Sequence, residues 1–279
     1  MSDIAHSPIG ASSMYRWSEC PGSIKKSEGV ESPTSVYAEE GTIAHDIAAN
    51  CLLGKPPPKG TDGEMLEAIQ VYLDTINGDI QKETFHKKYM LVEHAFDLGE
   101  IHPGLFGTAD CVYFNQWTGA LYVYDYKHGK GIPVEAEGNQ QGLYYALGAL
   151  LTCGFKATAV EIIIVQPRCP HPKGPVRRWR RDVCDMIDFA AELKTAAVKT
   201  EDPNAPLKAG DHCRFCPVAA TCSEQENQVF EMAKTVFDDV ENYDPERLGL
   251  ILTKIPQIKA WAKSVEEFAY QELNHGRQV

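Results

Sequence analysis

The sequence predicts an α/β protein in which a helical N-terminal region and a helical tail flank a mixed middle of strands and one helix. Three observations carry this. Apolar residues recur at helical spacing on both sides of the centre, and two runs rich in β-branched and aromatic residues flank a turn-forming segment. A helical stretch closed by glycine is then followed by a continuous apolar run of strand length.

Between Ser35 and Leu53, residues Ile43, Ala44, Ile47, Ala48, Cys51 and Leu52 stand at helical spacing, and Gly54 with the breakers Pro56 to Pro58 ends the helix. Glu64 to Ile76 repeats the pattern. Tyr89 to His94 reads as a strand leading into the turn His102-Pro103-Gly104, and Gly107 to Phe114 with Leu121 to Lys127 reads as a hairpin around Asn115-Gln116-Trp117-Thr118-Gly119. Asn139 to Cys153 is helical with Gly154 as its stop, and Val160 to Val165 is a buried strand. Helices return from Asp182 to Val198 and from Ser223 to Asn274, on either side of a Pro- and Cys-containing loop between Glu201 and Cys222. The expected organisation is one domain over residues 1–222 and a C-terminal helical region over residues 223–279.

Length and composition support a folded core: 279 residues, 43% apolar, is enough to bury one. The longest charge-free stretch, Gly138 to Phe155, is broken by Asn139, Gln140, Gln141 and glycines, short of the roughly 20 apolar residues that span a bilayer. No membrane association and a cytoplasmic location, the host's if the chain is phage-encoded, are expected, since no basic and apolar leader opens the sequence. A formal charge of -12 argues against a uniformly basic nucleic-acid coat, while leaving room for a local basic groove. Nine cysteines in a chain of this size read as reduced thiols or metal ligands.

The hairpin is chemically informative. With Phe114 facing Leu121, counting back places Asp110 opposite Asp125, where Cβ atoms of facing residues lie about 4.5 to 5.5 Å apart. Lys127, two residues beyond Asp125, points to the same face. Like charges this close call for a cation, and hard oxygen ligands select Mg or Mn, with the lysine placed to position or activate a water. A surface acid pair with a salt bridge is the plainer alternative.

Cys213-Arg214-Phe215-Cys216 followed by Cys222 forms C-x2-C-x5-C, one ligand short of the four that zinc or an iron-sulfur cluster takes. His212 and Cys20 are the candidates for the fourth. Cys20, in the turn-forming Cys20-Pro21-Gly22, is favoured. Cys51, Cys111, Cys153, Cys169 and Cys184 have no such spacing and read as ordinary thiols.

Gly107-Thr108-Ala109-Asp110, then Asp125-Tyr126-Lys127, then Gln141 with Tyr145 one helical turn on, resembles the motif series of PD-(D/E)xK nucleases of the RecB-like exonuclease group. Glu40-Gly41-Thr42-Ile43-Ala44-His45 looks like that group's upstream histidine element. An N-terminal cysteine paired with C-x2-C-x5-C is similar to its iron-sulfur subset, which includes the AddB nuclease domain and the CRISPR adaptation nucleases. Arg16-Trp17 to Gly22, Glu40 to His45, Gln166-Pro167-Arg168 and Gly210 to Cys222 look like a phage-type branch described only as a domain of unknown function; the resemblance covers roughly residues 10 to 225. It implies a restriction-endonuclease-like core, a mixed sheet flanked by helices, with the two ends of the domain clamped by a cluster. It implies Mg or Mn held by His45, Asp110, Asp125 and the carbonyl of Tyr126, with Lys127, Gln141 and Tyr145 completing the catalytic set. Cys20, Cys213, Cys216 and Cys222 would hold a 4Fe-4S cluster, with zinc as the alternative.

Residues 166 to 181 carry Arg168, Lys173, Arg177, Arg178, Arg180 and Arg181 and no acid, with Trp179 among them. Arg168, Arg178 and Arg180 could hold phosphates and Trp179 could stack a base; a charged edge strand is the other reading. The functional expectation is a Mg- or Mn-dependent DNA exonuclease in phage or recombination-related processing, acting on single-stranded DNA or DNA with free ends, with a helicase or recombinase as a possible partner. The alternative is a non-catalytic DNA-binding module, bearing a cluster or zinc, on the same fold.

Overall fold

The expected hairpin sets the register of the whole sheet. β2 (Phe106–Asn115) and β3 (Ala120–Tyr126) pair antiparallel with Phe114 opposite Leu121 and Cys111 opposite Tyr124. Asn115 also pairs with Ala120, so the loop is shorter than the six residues expected from the sequence. The Asn115 side chain closes it by accepting the amides of Trp117 and Thr118, and Gly119 takes the left-handed φ of 69° that the return requires.

Around this hairpin stand β1 (Met90–Asp97), antiparallel to β2, then β4 (Ala159–Val165), parallel to β3, and β5 (Val176–Asp182), antiparallel to β4. The sheet is therefore mixed, in the order β1-β2-β3-β4-β5. This computed structural model describes residues 7–30, 36–80, 89–237 and 245–279. β5 is the charged edge strand that was the other reading of the basic stretch. The segment from Val176 alternates as an edge strand does, and Asp182 ends that strand rather than opening a helix, so α6 runs Asp185–Lys199.

The parallel step from β3 to β4 needs a crossover, supplied by α5 (Gln140–Cys153). Its start is fixed by the Asn139 side chain, which accepts the Gly142 amide at 2.8 Å, and its end by Gly154 in the left-handed conformation at φ 64°. α5 lies close against one sheet face: a Cβ on Gly142 would meet Ile162 Cγ2 at 2.4 Å, and one on Gly148 would meet Phe96 Cβ at 2.6 Å. On the opposite face, α3 (Val36–Leu52) and α4 (Gly63–Ile80) bury Ala44, Ile47, Ile69, Tyr72 and Ile76 against Cys111, Tyr113, Tyr124, Tyr126, Ile163 and Val165. Ser35, the expected first residue of α3, lies outside the described residues. α4 starts where Asp62 accepts the Met65 amide.

The chain divides into two compact units, Met1–Met14 with Thr34–Ala197, and Tyr15–Pro33 with Val198–Val279. This differs from a boundary after Cys222. In the second unit, α1 (Met14–Glu19) and α2 (Gly22–Lys26) are tied to the segment before the C-x2-C: Gly22 N donates to Pro206 O, and Lys208 pairs with Glu19. A Cβ on Gly22 would meet Ala205 O at 2.4 Å, so the turn after Cys20 needs glycine for that approach. The same unit holds α7 (Ser223–Phe237) and α8 (Pro245–Asn274), whose first residue is the proline that suits a helix start; residues 238–244, inside the helix expected from Ser223 to Asn274, lie outside the described residues. Among the described residues no helix is long and apolar enough to cross a membrane.

Gly142→Ala tests the α5 approach. Alanine gains about 1 kcal/mol of helix propensity over glycine, but its Cβ collides with Ile162, a fully buried side chain with nowhere to go. Overpacking costs typically 1 to 3 kcal/mol, so the expected net effect is destabilisation, read as a lower midpoint in urea; an unchanged or higher midpoint would show that α5 can lift off the sheet.

Candidate metal centre and cysteine cluster

Pairing between β2 and β3 stops at Cys111 and Tyr124, one step before Asp110 and Asp125. The Asp110 carboxylate turns back into the gap, and its Oδ2 accepts the Tyr126 amide at 2.7 Å. Its Oδ1 lies 3.3 Å from His45 Nδ1, which α3 brings in from the helical layer. Asp125 is 2% exposed and faces Lys127, whose Nζ lies 2.8 Å from Oδ2. Lys127 Nζ also donates to Gln141 Oε1 at 2.9 Å, and Gln141 Nε2 donates to the Tyr145 hydroxyl at 3.3 Å. His45, Asp110, Asp125, Lys127, Gln141 and Tyr145, brought in by α3, β2, β3 and α5, thus gather at one site. Tyr126 enters this set through its amide N–H.

Glu93 was not anticipated. It stands opposite Asp110 at the one step where the β1–β2 ladder is interrupted, between the pairs Val92 with Cys111 and His94 with Ala109. Its φ of 46° is the single positive value on a non-glycine among the described residues, a conformation that costs of order 1 to 3 kcal/mol. The ligand atoms of His45, Glu93 and Asp110 all lie within 4.8 Å of one another. Asp125, expected as a ligand, falls outside that tight group and is engaged by Lys127 instead, because the lysine ammonium is its nearest cation.

The charges adjust to this crowding. Burial pushes the Asp110 carboxyl up, but His45, Lys127 and the Tyr126 amide outweigh it and hold the group below its usual range. Asp125 goes the other way: burial, reinforced by the Asp110 charge, raises it against the pull of Lys127. Lys127 loses solvation, yet Asp125 and Asp110 more than compensate and raise its pKa, so it stays an ammonium at neutral pH. His45 is raised too, since Asp110 outweighs its burial. Glu93 keeps solvent access, but burial of its carboxyl and the Asp110 charge push it up to about 7. The arrangement can hold a cation on the His45–Glu93–Asp110 side and present a fixed ammonium on the other.

In the second unit, Cys20, Cys213 and Cys222 are buried and Cys216 is half-buried. Cys20 Sγ accepts the Lys208 amide at 3.2 Å and Cys213 Sγ accepts the Gly210 amide at 3.4 Å. Cys216 lies within electrostatic reach of both Cys213 and Cys20. His212, the other candidate ligand, instead bonds through Nε2 to Lys208 O at 2.8 Å. Two backbone amides thus point at the sulfurs of Cys20 and Cys213.

The arginines of the basic stretch are largely committed within the protein. Arg168 pairs with Glu40 and Glu64; Arg178 pairs with Asp79 at 2.8 Å and Glu161 at 3.2 Å; Arg180 reaches Glu161 at 3.6 Å. Arg178 and Arg180 share a face as expected, while Trp179 faces the other way with the Arg181 guanidinium 5.3 Å from its ring centroid. Arg168, Arg178 and Arg180 thus meet acids of the protein's own, and Trp179 lies on the other face from Arg178 and Arg180.

Residues 6–279 match the family model described as a protein of unknown function, DUF2800. The chain belongs to this family. The match runs past residue 225 through the C-terminal helices, so DUF2800 membership covers both units.

Glu93 gives the centre a testable pH signature. A carboxyl raised to about 7 in the folded chain stabilises it at pH below the ordinary glutamate range, and that contribution is lost as pH rises through 7. Without added metal, stability should fall across this window, and added Mn should restore more stability above pH 7 than below it. Glu93→Gln should flatten both trends; thermal melts at several pH values, with and without Mn, decide.

Proposed function

We propose that this DUF2800 protein is a divalent-metal-dependent deoxyribonuclease of PD-(D/E)xK type, an exonuclease acting on single-stranded DNA or DNA with free ends. The observation that carries the reading is the placement of Asp110 between a cation-binding group, His45 and Glu93, and the chain Asp125–Lys127–Gln141–Tyr145. One imidazole nitrogen with carboxylate oxygens fits Mn, and the carboxylates with water fit Mg. His45, Glu93 and Asp110 would hold the ion. When bound, it would polarise a phosphoryl oxygen and lower the pKa of a water.

The chain's own groups then divide the work. Lys127, kept protonated, donates through Nζ to a non-bridging phosphate oxygen and stabilises the charge that develops there. It does not act as the base. The proton released by the attacking water would go to a carboxylate of the site. Gln141 holds Lys127 with its oxygen and the Tyr145 hydroxyl oxygen with its nitrogen, which leaves the Tyr145 O–H proton to meet the DNA backbone.

The same reading assigns a 4Fe-4S cluster to Cys20, Cys213, Cys216 and Cys222. Their burial and the two N–H···S bonds fit thiolate ligands.

End-labelled single- and double-stranded DNA incubated with Mg or Mn is expected to be shortened from its ends by the wild-type chain, and Asp110→Ala, Asp125→Ala and Lys127→Ala are each expected to lose at least about 100-fold of that rate, as removal of a charge-stabilising group does. Binding without cleavage in the wild type would favour a non-catalytic DNA-binding module. Anaerobically purified protein should be brown and contain iron and sulfide, and Cys20→Ser should lose the colour and melt at lower temperature. Stoichiometric zinc without iron would replace the cluster by a zinc site.

A further inference from the structure

Arg168 is the meeting point of four segments. Its Nη1 donates to Glu40 Oε1 on α3 at 2.9 Å, its Nε donates to Glu64 Oε1 on α4 at 3.2 Å, and Nη1 also donates to the Nε2 of His128, just past β3. Its side chain is 8% exposed. A guanidinium has donors and no acceptor, so His128 Nε2 must accept and Nδ1 must carry the ring proton. That proton is donated to the Tyr126 hydroxyl oxygen, 2.8 Å away.

Tyr126 in turn touches both sides of the cation group. Its ring centroid lies 5.3 Å from that of His45, and its amide donates to Asp110 Oδ2 at 2.7 Å. Glu40 precedes His45 by five residues on one helix, about 7.5 Å along the axis. Arg168 therefore holds α3 directly, through Glu40, and holds the ring against which His45 packs, through His128. The preceding polar residue, Gln166, braces the same region from the other side: it accepts Val134 N and donates to Gly129 O and Ile132 O, fixing the loop that follows Lys127.

We propose that Arg168 is a positioning residue of the cation centre: by joining Glu40 to His128, and through His128 to Tyr126, it sets the His45 imidazole against the Asp110 carboxylate. This rests on the reading of that centre as a cation site. Lysine cannot replace it, because one ammonium lacks the planar fork that serves Glu40, Glu64 and His128 at once.

The test uses the full chain and Mn alone, with free Mn read by electron paramagnetic resonance. Arg168→Gln is expected to weaken Mn binding by about tenfold, the lower end of the loss seen when an outer partner of a metal ligand is removed. Arg168→Lys should fall between it and wild type. In a His45→Ala background Arg168→Gln should add no further loss, because its effect passes through that imidazole. Wild-type affinity in Arg168→Gln, or an undiminished loss in the His45→Ala background, overturns the proposal. If Arg168→Gln fails to fold, Tyr126→Phe removes only the hydroxyl at the far end of the same path; weakened Mn binding there supports the proposal and unchanged binding overturns it. A wild-type chain that binds no Mn overturns the cation reading and this role with it, whereas Mn binding without DNA cleavage removes only the nuclease reading.

Discussion

Two carboxylates on the paired strands of one hairpin, Asp110 and Asp125, impose the constraint on which the rest of the site depends: the Asp110 charge raises Asp125, and both groups have lost much of their water. The protein meets that cost with three partners from different elements: the Tyr126 amide and His45 at Asp110, and the Lys127 ammonium at Asp125. Each partner must be held, so α3 on one sheet face delivers His45 to Asp110 and α5 on the other delivers Gln141 to Lys127. The layers are positioned as much by this electrostatic demand as by apolar burial.

The asymmetry that results is chemical. Asp110 is held ionised while Asp125 and Glu93 are pushed towards protonation. Groups of one kind, a few ångströms apart, thus acquire different roles from their surroundings, as general acid-base chemistry requires. Glu93 is the clearest instance, since its strained backbone places a carboxyl where a regular strand residue would have continued the ladder.

What could be read in the sequence follows the range of the interactions involved. The hairpin register was legible because alternation and the turn around Gly119 specify it locally, and Gln141 and Tyr145 were legible as a pair because four residues span one helical turn. Glu93 was not, because its partner lies across an irregular connection and its own φ breaks the alternation that sequence reading assumes. The acids that meet the arginines were hidden for a related reason: Glu40 is 128 positions from Arg168 and Asp79 is 99 from Arg178, so a local run of positive charge says nothing of them. The division of the chain was hidden likewise, since Cys20 and Lys208 meet across 188 positions.

An acidic chain whose clustered arginines are spent on its own carboxylates still has to attract a polyanion if it cleaves DNA. Counterion release from a broad basic surface is the usual source of that attraction, and with a formal charge of -12 it is a poor candidate here. The alternative is to concentrate positive charge where the phosphate reacts. On the proposed reading, a divalent cation held by His45, Glu93 and Asp110, beside a lysine that stays protonated, would do this by turning a cluster of carboxylates from a barrier into an anion-binding point. On that reading the metal is needed for DNA to settle in the site as well as for the cleavage step, and the carboxylates that hold it are what keep the protein from engaging DNA in its absence.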